Sequence, residues 1–524
     1  MEKDEMSTVT ENTETAVVSE QTTSTESNSN ELKAKSADIG AQVNDLLNKR
    51  FGNFTLKQIL IVVLCVLLAV VVLKAVLGNA FKGNKVPDYS IVYVNDDGDL
   101  MVVGKNGKDP VKLSSDGYAD VEYANTTDRY ILFTKDDSLY LYDKKDKDNT
   151  EKIAKEVSRF GFSDDDKYIY YLNDDDELYS YYKKEIKIDT DVDSIAAVTE
   201  DKIFYVKDDE LFFRSLKGKG DKVKVESELN DYLVNEDGSK ILYENEDNEL
   251  YVYKVSSKKS TKIADDISNL LDWSEDLNEL IYSTSDDEVY YAKGTKTTKL
   301  VSDVEGVFYS DVDNKVVVYE TDDVMYYQKG TGKAIKVEDS EDVRSVYIYN
   351  DKELYFTKYD DGEYELFYSK LSGSKASSPK SVLDDASSYI TSNYKNGLIA
   401  FSNVDDYIGE FNVIKNGKVT KVADDVYVSS MHVDVEGKKV FFLGDYDDED
   451  NVGTFMSTTG KKSKKLVEDV SDYTYIHSKL VYLETGYSSK SGNFDIQVFT
   501  GSKAKELVTD VSRVHSVYVP SYTK

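Results

Sequence analysis

The 524-residue chain is 40% hydrophobic and carries 99 Asp and Glu against 65 Lys and Arg, for a formal charge of −34. Its length accommodates several domains or one long repeat array, and a surface this acidic repels phosphate backbones and anionic lipid heads, which argues against nucleic-acid binding. The single cysteine, Cys65, leaves everything after residue 80 without disulfides, thiolate metal sites or cysteine nucleophiles; a secreted eukaryotic domain of this size usually carries disulfides, so a bacterial cell surface fits better.

Residues 1–53 are a tail rich in Glu, Ser and Thr, with too few large apolar side chains to offset chain entropy, and are expected to lack fixed structure. Within it, ELKAKSADIGAQVNDLLNKR at 31–50 has the makings of a weak helix despite Gly40. Residues 54–80 hold the one stretch suited to leaving water, Leu56 to Leu77, whose uncharged core from Ile59 to Leu73 reaches spanning length once Lys74 snorkels. The reading is a single membrane anchor over residues 56–77. A cleaved signal peptide is the rival, given Gly78-Asn79-Ala80, but the tail before the run is already longer than the roughly 15 to 30 residues of a whole signal peptide. A buried helix, apolar all round and covered only by β-structure, is the weaker alternative. Lys49, Arg50 and Lys57 on one side balance Lys74, Lys82 and Lys85 on the other, so flanking charge does not orient the span.

Residues 81–524 change character. From Tyr89 onward, short alternating runs meet at acidic turns, most clearly in YILFTKDDSLYLY at Tyr130 to Tyr142. The hairpin recurs at Ile91, Tyr168, Lys202, Lys240, Leu280, Val316 and Glu353, and more loosely near Leu398, Lys439 and Leu480, which makes eleven. Between hairpins a phrase repeats: EKIAKEV at Glu151, TKIADDI at Thr261, TKLVSDV at Thr298, TKVADDV at Thr420, KKLVEDV at Lys464 and KELVTDV at Lys505. A further short strand follows it, as at Ser158 to Phe162. Four strands in roughly 40 residues is the pattern of a propeller blade, whose sheet buries its faces only against neighbouring sheets. The expected fold is therefore all-β: a β-propeller of about eleven four-stranded units, as one large ring or two, behind one transmembrane helix. The array opens on a hairpin without a leading strand and ends on SRVHSVYVP, Ser512 to Pro520, a leading strand without a hairpin; pairing them would close a ring. Irregular units are expected between Glu353 and Leu480, and an open β-solenoid is the alternative.

The turn before each hairpin, as in FSDDDKYIYY at Phe162, VNEDGSKILY at Val234, WSEDLNELIY at Trp273 and VDVEGKKVFF at Val433, resembles the Ser-Pro-Asp-Gly-Lys turn of TolB-like propeller repeats, without its proline. The resemblance covers roughly residues 89 to 520, and the whole layout is similar to bacterial proteins that hang a Tyr- and Asp-rich propeller on an N-terminal anchor. It implies an extracytoplasmic binding or assembly domain with the tail in the cytoplasm.

Candidate chemistry is sparse. DYDDEDN at Asp445 to Asn451, with Asp447, Asp448 and Asp450 close together, and NDDGD at Asn95 to Asp99 are the nearest approaches to a calcium loop, but neither has the full ligand pattern, and Asp and Asn also serve tight turns. The 42 tyrosines could stack on sugars or peptides, yet strand and core packing accounts for most of them. His432, His477 and His515 fall in separate late units without metal-ligand spacing. There is no Gly-x-Ser-x-Gly elbow and no phosphate-cradling glycine loop, so no catalytic, cofactor or metal residue is assigned. The functional expectation is a module that binds a protein or cell-envelope component, with no nucleic-acid partner. The alternatives are a surface hydrolase or lyase using carboxylates at a propeller mouth, and a plain structural spacer.

Overall fold

The computed structural model describes residues 50–51, 54–55 and 89–518, apart from 128, 147–149, 228, 361, 374, 478–479 and 489–490. The chain divides into two units, Met1–Lys85 and Val86–Lys524. In the first, Arg50–Phe51 pairs with Phe54–Thr55, a two-residue ladder to which two phenylalanines lend β-propensity. Arg50, the last residue of the helix expected over 31–50, is thus in a strand. The anchor expected over 56–77 lies outside the described residues, and among the described residues no helix is long and apolar enough to cross a membrane.

The second unit is almost entirely β. Its strands form eleven successive antiparallel sheets, numbered here in chain order, an arrangement consistent with a β-propeller. Sheet 1 joins Ser90–Asn95, Leu100–Gly104 and Val111–Ser114 to residues 511–518 of the last strand. Sheets 2 to 11 span 121–155, 157–189, 194–226, 229–264, 267–301, 306–339, 343–383, 386–427, 432–470 and 470–511. Every hairpin counted in the sequence supplies the two middle strands of one sheet, and the repeated phrase supplies the fourth. Sheet 8 carries an extra strand, Lys375–Ala376, and a 3-10 turn, Val428–Ser430, precedes sheet 10, so irregularity does fall in the stretch where it is expected.

The second strands are apolar on both faces, because each sheet is covered on both sides. Ile131 and Phe133 pack towards sheet 1 while Leu132, between them, packs towards sheet 3. Ile203 and Tyr205 face sheet 3, and Phe204 faces sheet 5. The buried side chains fall into eleven clusters, each shared by two consecutive sheets. One of them joins Leu480, Tyr482 and Ile496 of sheet 11 to Ile91 and Tyr93 of sheet 1 and to Tyr89 just before it. The leading strand near the C-terminus pairs with Ser90–Asn95, with Ser90 opposite Tyr518 and Val94 opposite Arg513. The sheets therefore form one closed circuit, and neither an open solenoid nor two separate rings describes them. Two 15-residue strands, Ser463–His477 and Ala504–Tyr518, each end one sheet and begin the next, so sheets 10, 11 and 1 share an unbroken ladder.

Candidate functional site

Strand order decides which side chains share a face. In an antiparallel sheet read 1-2-3-4, the turn between strands 2 and 3 and the connection to the next sheet emerge on one side, and the turns between strands 1 and 2 and strands 3 and 4 on the other. On the first side, every charged side chain among the described connecting residues is Asp or Glu. On the second, the charged side chains in the turns between strands 3 and 4 are mainly lysine among the described residues, with Lys105, Lys144, Lys183, Lys217, Lys258 and Lys462 as examples. Overall charge therefore conceals a polar molecule, with an acidic face and a face of mixed charge edged by lysines.

The acids of the first face are turn residues. Asp136–Asp137, Asp208–Asp209 and Asp322–Asp323 are two-residue hairpin loops with both φ positive, the conformation that primed turns require and that Asp tolerates. In the repeated phrase, Asp266, Asp303, Asp425, Asp469 and Asp510 also have φ near +50 to +60°, and each turns the chain so that the next residue, Ile or Val, is buried. Backbone hydrogen bonds tie the two acidic segments together, as where the Val304 N–H donates to Asp287 O at 2.9 Å and the Ile267 N–H to Asn248 O at 2.9 Å.

The calcium candidates are accounted for in the same way. Asp447 Oδ1 accepts the backbone N–H groups of Glu449 and Asp450 at 3.0 and 3.2 Å. Asn95 Oδ1 accepts the Asp99 N–H at 2.8 Å, and Asp99 is paired with Lys112 at 2.7 Å. Among the described residues no three His, Cys, Asp or Glu side chains converge as a metal site. His432 lies on Tyr475 with ring centroids 4.2 Å apart, and His515 is on the closing strand; burial lowers the pKa of both. Nothing brings them together, and the side chain of His477 is outside the described residues.

Most tyrosines pack. Tyr142, Tyr171, Tyr205, Tyr243, Tyr355, Tyr394 and Tyr482 are fully buried. A recurrent device holds the third strands: in sheets 3, 5 and 6 a glutamate accepts the hydroxyl of the tyrosine two residues on and pairs with a lysine of the fourth strand. The sets are Glu177–Tyr179–Lys187, Glu249–Tyr251–Lys262 and Glu288–Tyr290–Lys299. The lysine and tyrosine hold Glu249 down to about 2.

Two groups of acids depart from this pattern. Burial raises Asp164, helped by Glu200, Asp165 and Glu236, so the turns between strands 1 and 2 of sheets 3, 4 and 5 bring like charges together. In sheet 11, Asp472 on the first strand is the cross-strand partner of Glu484 on the second, and Tyr482 Oη donates to Glu484 Oε1 at 2.8 Å. Burial pushes Glu484 up to about 7 against the tyrosine hydrogen bond, with Asp472 adding to the rise, and partial desolvation raises Asp472 itself. No sequence signal distinguishes this pair, since Asp231 and Glu244 are cross-strand partners at the same positions of sheet 5.

On the lysine-edged face, two clefts flank one end of sheet 2. The cleft towards sheet 1, about 350 Å³, is lined by Lys105, Lys108 and Lys144 with Tyr89 and Tyr142. The cleft towards sheet 3, about 480 Å³, is lined by Tyr130, Tyr181 and Tyr182 with Lys167, Lys183 and Glu151. Between them Arg129 grips Asp143 through Nε at 2.9 and 3.0 Å and through Nη2 at 2.5 Å.

No family model matches the chain, and no curated protein matches it. Solved structures similar to it include a eukaryotic initiation factor, 10% identical, covering 83% of this chain and 100% of that one at a TM-score of 0.39. Tricorn protease is 13% identical, covering 81% of this chain and 58% of that one at a TM-score of 0.26. PorZ, a surface component of the type-IX secretion system of Porphyromonas gingivalis, is 11% identical, covering 71% and 63% at a TM-score of 0.23.

Proposed function

We propose that the chain is a membrane-tethered binding or assembly module, in which residues 56–77 anchor an extracytoplasmic β-propeller that engages a protein or cell-envelope component. The observation that carries this reading is the division of one closed ring into an acidic face and a lysine-edged face with clefts. Rigid two-sided rings present fixed surfaces to partners, and opposite surface potentials orient the encounter. The acidity exceeds what the turns need, because Asn or Gly meets the same positive φ without charge.

Crosslinking the tagged full-length chain in intact cells tests the reading. One stoichiometric envelope component is expected, and its yield should fall when Lys105, Lys108 and Lys183 are changed to Glu. Recovery of no component, or of the same mixture from both versions, would sink it. A second reading, a surface hydrolase or lyase, is favoured by Asp472 and Glu484 alone: a carboxyl poised near neutrality beside a second carboxyl suits acid–base chemistry. An activity found by substrate screening and lost in Glu484→Gln would establish it.

A further inference from the structure

We propose that the cleft between sheets 2 and 3 is a carbohydrate site selective for sugars that carry a negative charge, with Tyr130 and Tyr182 as stacking surfaces and Lys167 and Lys183 as the anion-reading groups. The proposal rests on the binding-module reading and deepens it. At about 480 Å³ the cleft lies within the range of small-ligand sites, which are roughly 300 to 1,000 Å³ with a few convergent polar groups.

Its walls are built rather than incidental. Tyr182 is 43% exposed, one of six exposed tyrosines among the described residues, and its ring is held against Tyr168 with centroids 5.6 Å apart. The Arg129 guanidinium lies over the Tyr130 ring, 4.6 Å from its centroid. The rim is tied across the two sheets. Asp166 accepts the Asn125 and Thr126 backbone N–H groups and the Thr126 hydroxyl at 2.5 Å, and Asn125 Nδ2 donates to Ser163 O at 3.0 Å.

Charge then narrows the ligand. Of the two lining carboxylates, Asp166 is spent on those three donors and Glu151 accepts the Tyr181 hydroxyl. Lys167 and Lys183 have no carboxylate partner among the described residues; each ammonium rests over a tyrosine ring, 5.5 Å from the Tyr168 and 5.4 Å from the Tyr182 centroid. Three further lysines line the cleft on the other side of sheet 2. Flat aromatic faces suit the C–H face of a pyranose, Glu151 and the tyrosine hydroxyls suit its hydroxyl groups, and the lysines suit a carboxylate or phosphate on it. An acidic peptide would satisfy the lysines, but it offers neither the flat C–H face nor the row of hydroxyls.

Titration of the purified full-length chain with short oligosaccharides of matched length, one neutral, one of uronates and one phosphodiester-linked, tests the proposal. The charged sugars are expected to bind and the neutral one to bind at least about tenfold more weakly. The tighter of the two charged sugars identifies the anion. Tyr182→Ala should weaken every sugar about tenfold, while the double variant Lys167→Gln/Lys183→Gln should weaken only the charged ones and flatten their salt dependence. Both alter exposed side chains, and an unchanged melting temperature certifies the fold. Equal binding of neutral and charged sugars, no sugar binding, variants that bind like the unsubstituted chain, or an acidic peptide that binds in their place would each overturn it. If cells still yield a crosslinked envelope partner while no sugar binds, this inference falls and the broader reading stands; if neither is found, both fall.

Discussion

Glu484 shows how far a side chain's chemistry depends on its neighbours. The fifth residue of the second strand is glutamate in sheets 5, 7 and 11, as Glu244, Glu320 and Glu484. Glu320 accepts a hydrogen bond from the Ser340 hydroxyl at 2.5 Å, whereas Glu484 is half-buried beside Tyr482 and Asp472 at the seam and rises from 4.5 to about 7. A carboxyl whose folded pKa lies above its unfolded one contributes most below the unfolded value, and that contribution is lost as pH rises through the folded value. Stability should therefore decline between about pH 4.5 and 7, and Glu484→Gln should flatten the decline and leave the protein more stable at about pH 8. Urea midpoints of the two proteins across that range measure it; parallel curves would show that Glu484 is not the titrating group. No spacing in the sequence could reveal this site, because its environment comes from packing between the first and last sheets.

At the scale of the element, the hairpins were legible because their middle strands are dense in apolar and aromatic residues and their turns are marked by paired acids. The repeated phrase was legible as a strand. That its last Asp adopts positive φ and swings the following Val or Ile into the core was not, since a string of letters carries no dihedral angle. The placement of charge was hidden for a related reason: it follows from the up-and-down path of four strands, not from any local composition. Asp287 and Asp303 give a direct test. Their turns meet through the Val304 N–H, both have φ near +60°, and Asn adopts that conformation as readily without the repulsion. The double variant Asp287→Asn/Asp303→Asn should gain about 0.5 kcal/mol at low ionic strength and lose the gain in about 1 M salt. Thermal melts at the two salt concentrations decide it, and a loss of stability at low salt would mean that the carboxylates support the turns.

For the whole molecule, the eleven units and the split sheet could be read from the chain, and the choice between one ring and two could not. That choice depends on which sheets cover one another, and it is settled by the cluster joining Leu480 and Tyr482 to Ile91 and Tyr93. Closure leaves no sheet face without a neighbour, so loss of the seam should be felt throughout. A chain ending after Val511 lacks the strand opposite Ser90–Asn95 and should melt at a lower temperature with a broader transition than the full chain. Calorimetry of the two would show it, and an unchanged, equally sharp transition would mean that the ring does not depend on its seam.

The pairing of Ser90 with Tyr518 also places the two ends of the ring side by side, so the order in which the sheets are written along the gene is one of eleven equivalent orders. A circular permutant that joins those ends with a short Gly/Ser linker and opens the chain at the exposed Asp406–Tyr407 turn keeps every sheet neighbour it had before. It should fold to the same ring, with its seam moved to sheet 9, and a circular dichroism spectrum and melting curve close to those of the original order would show this.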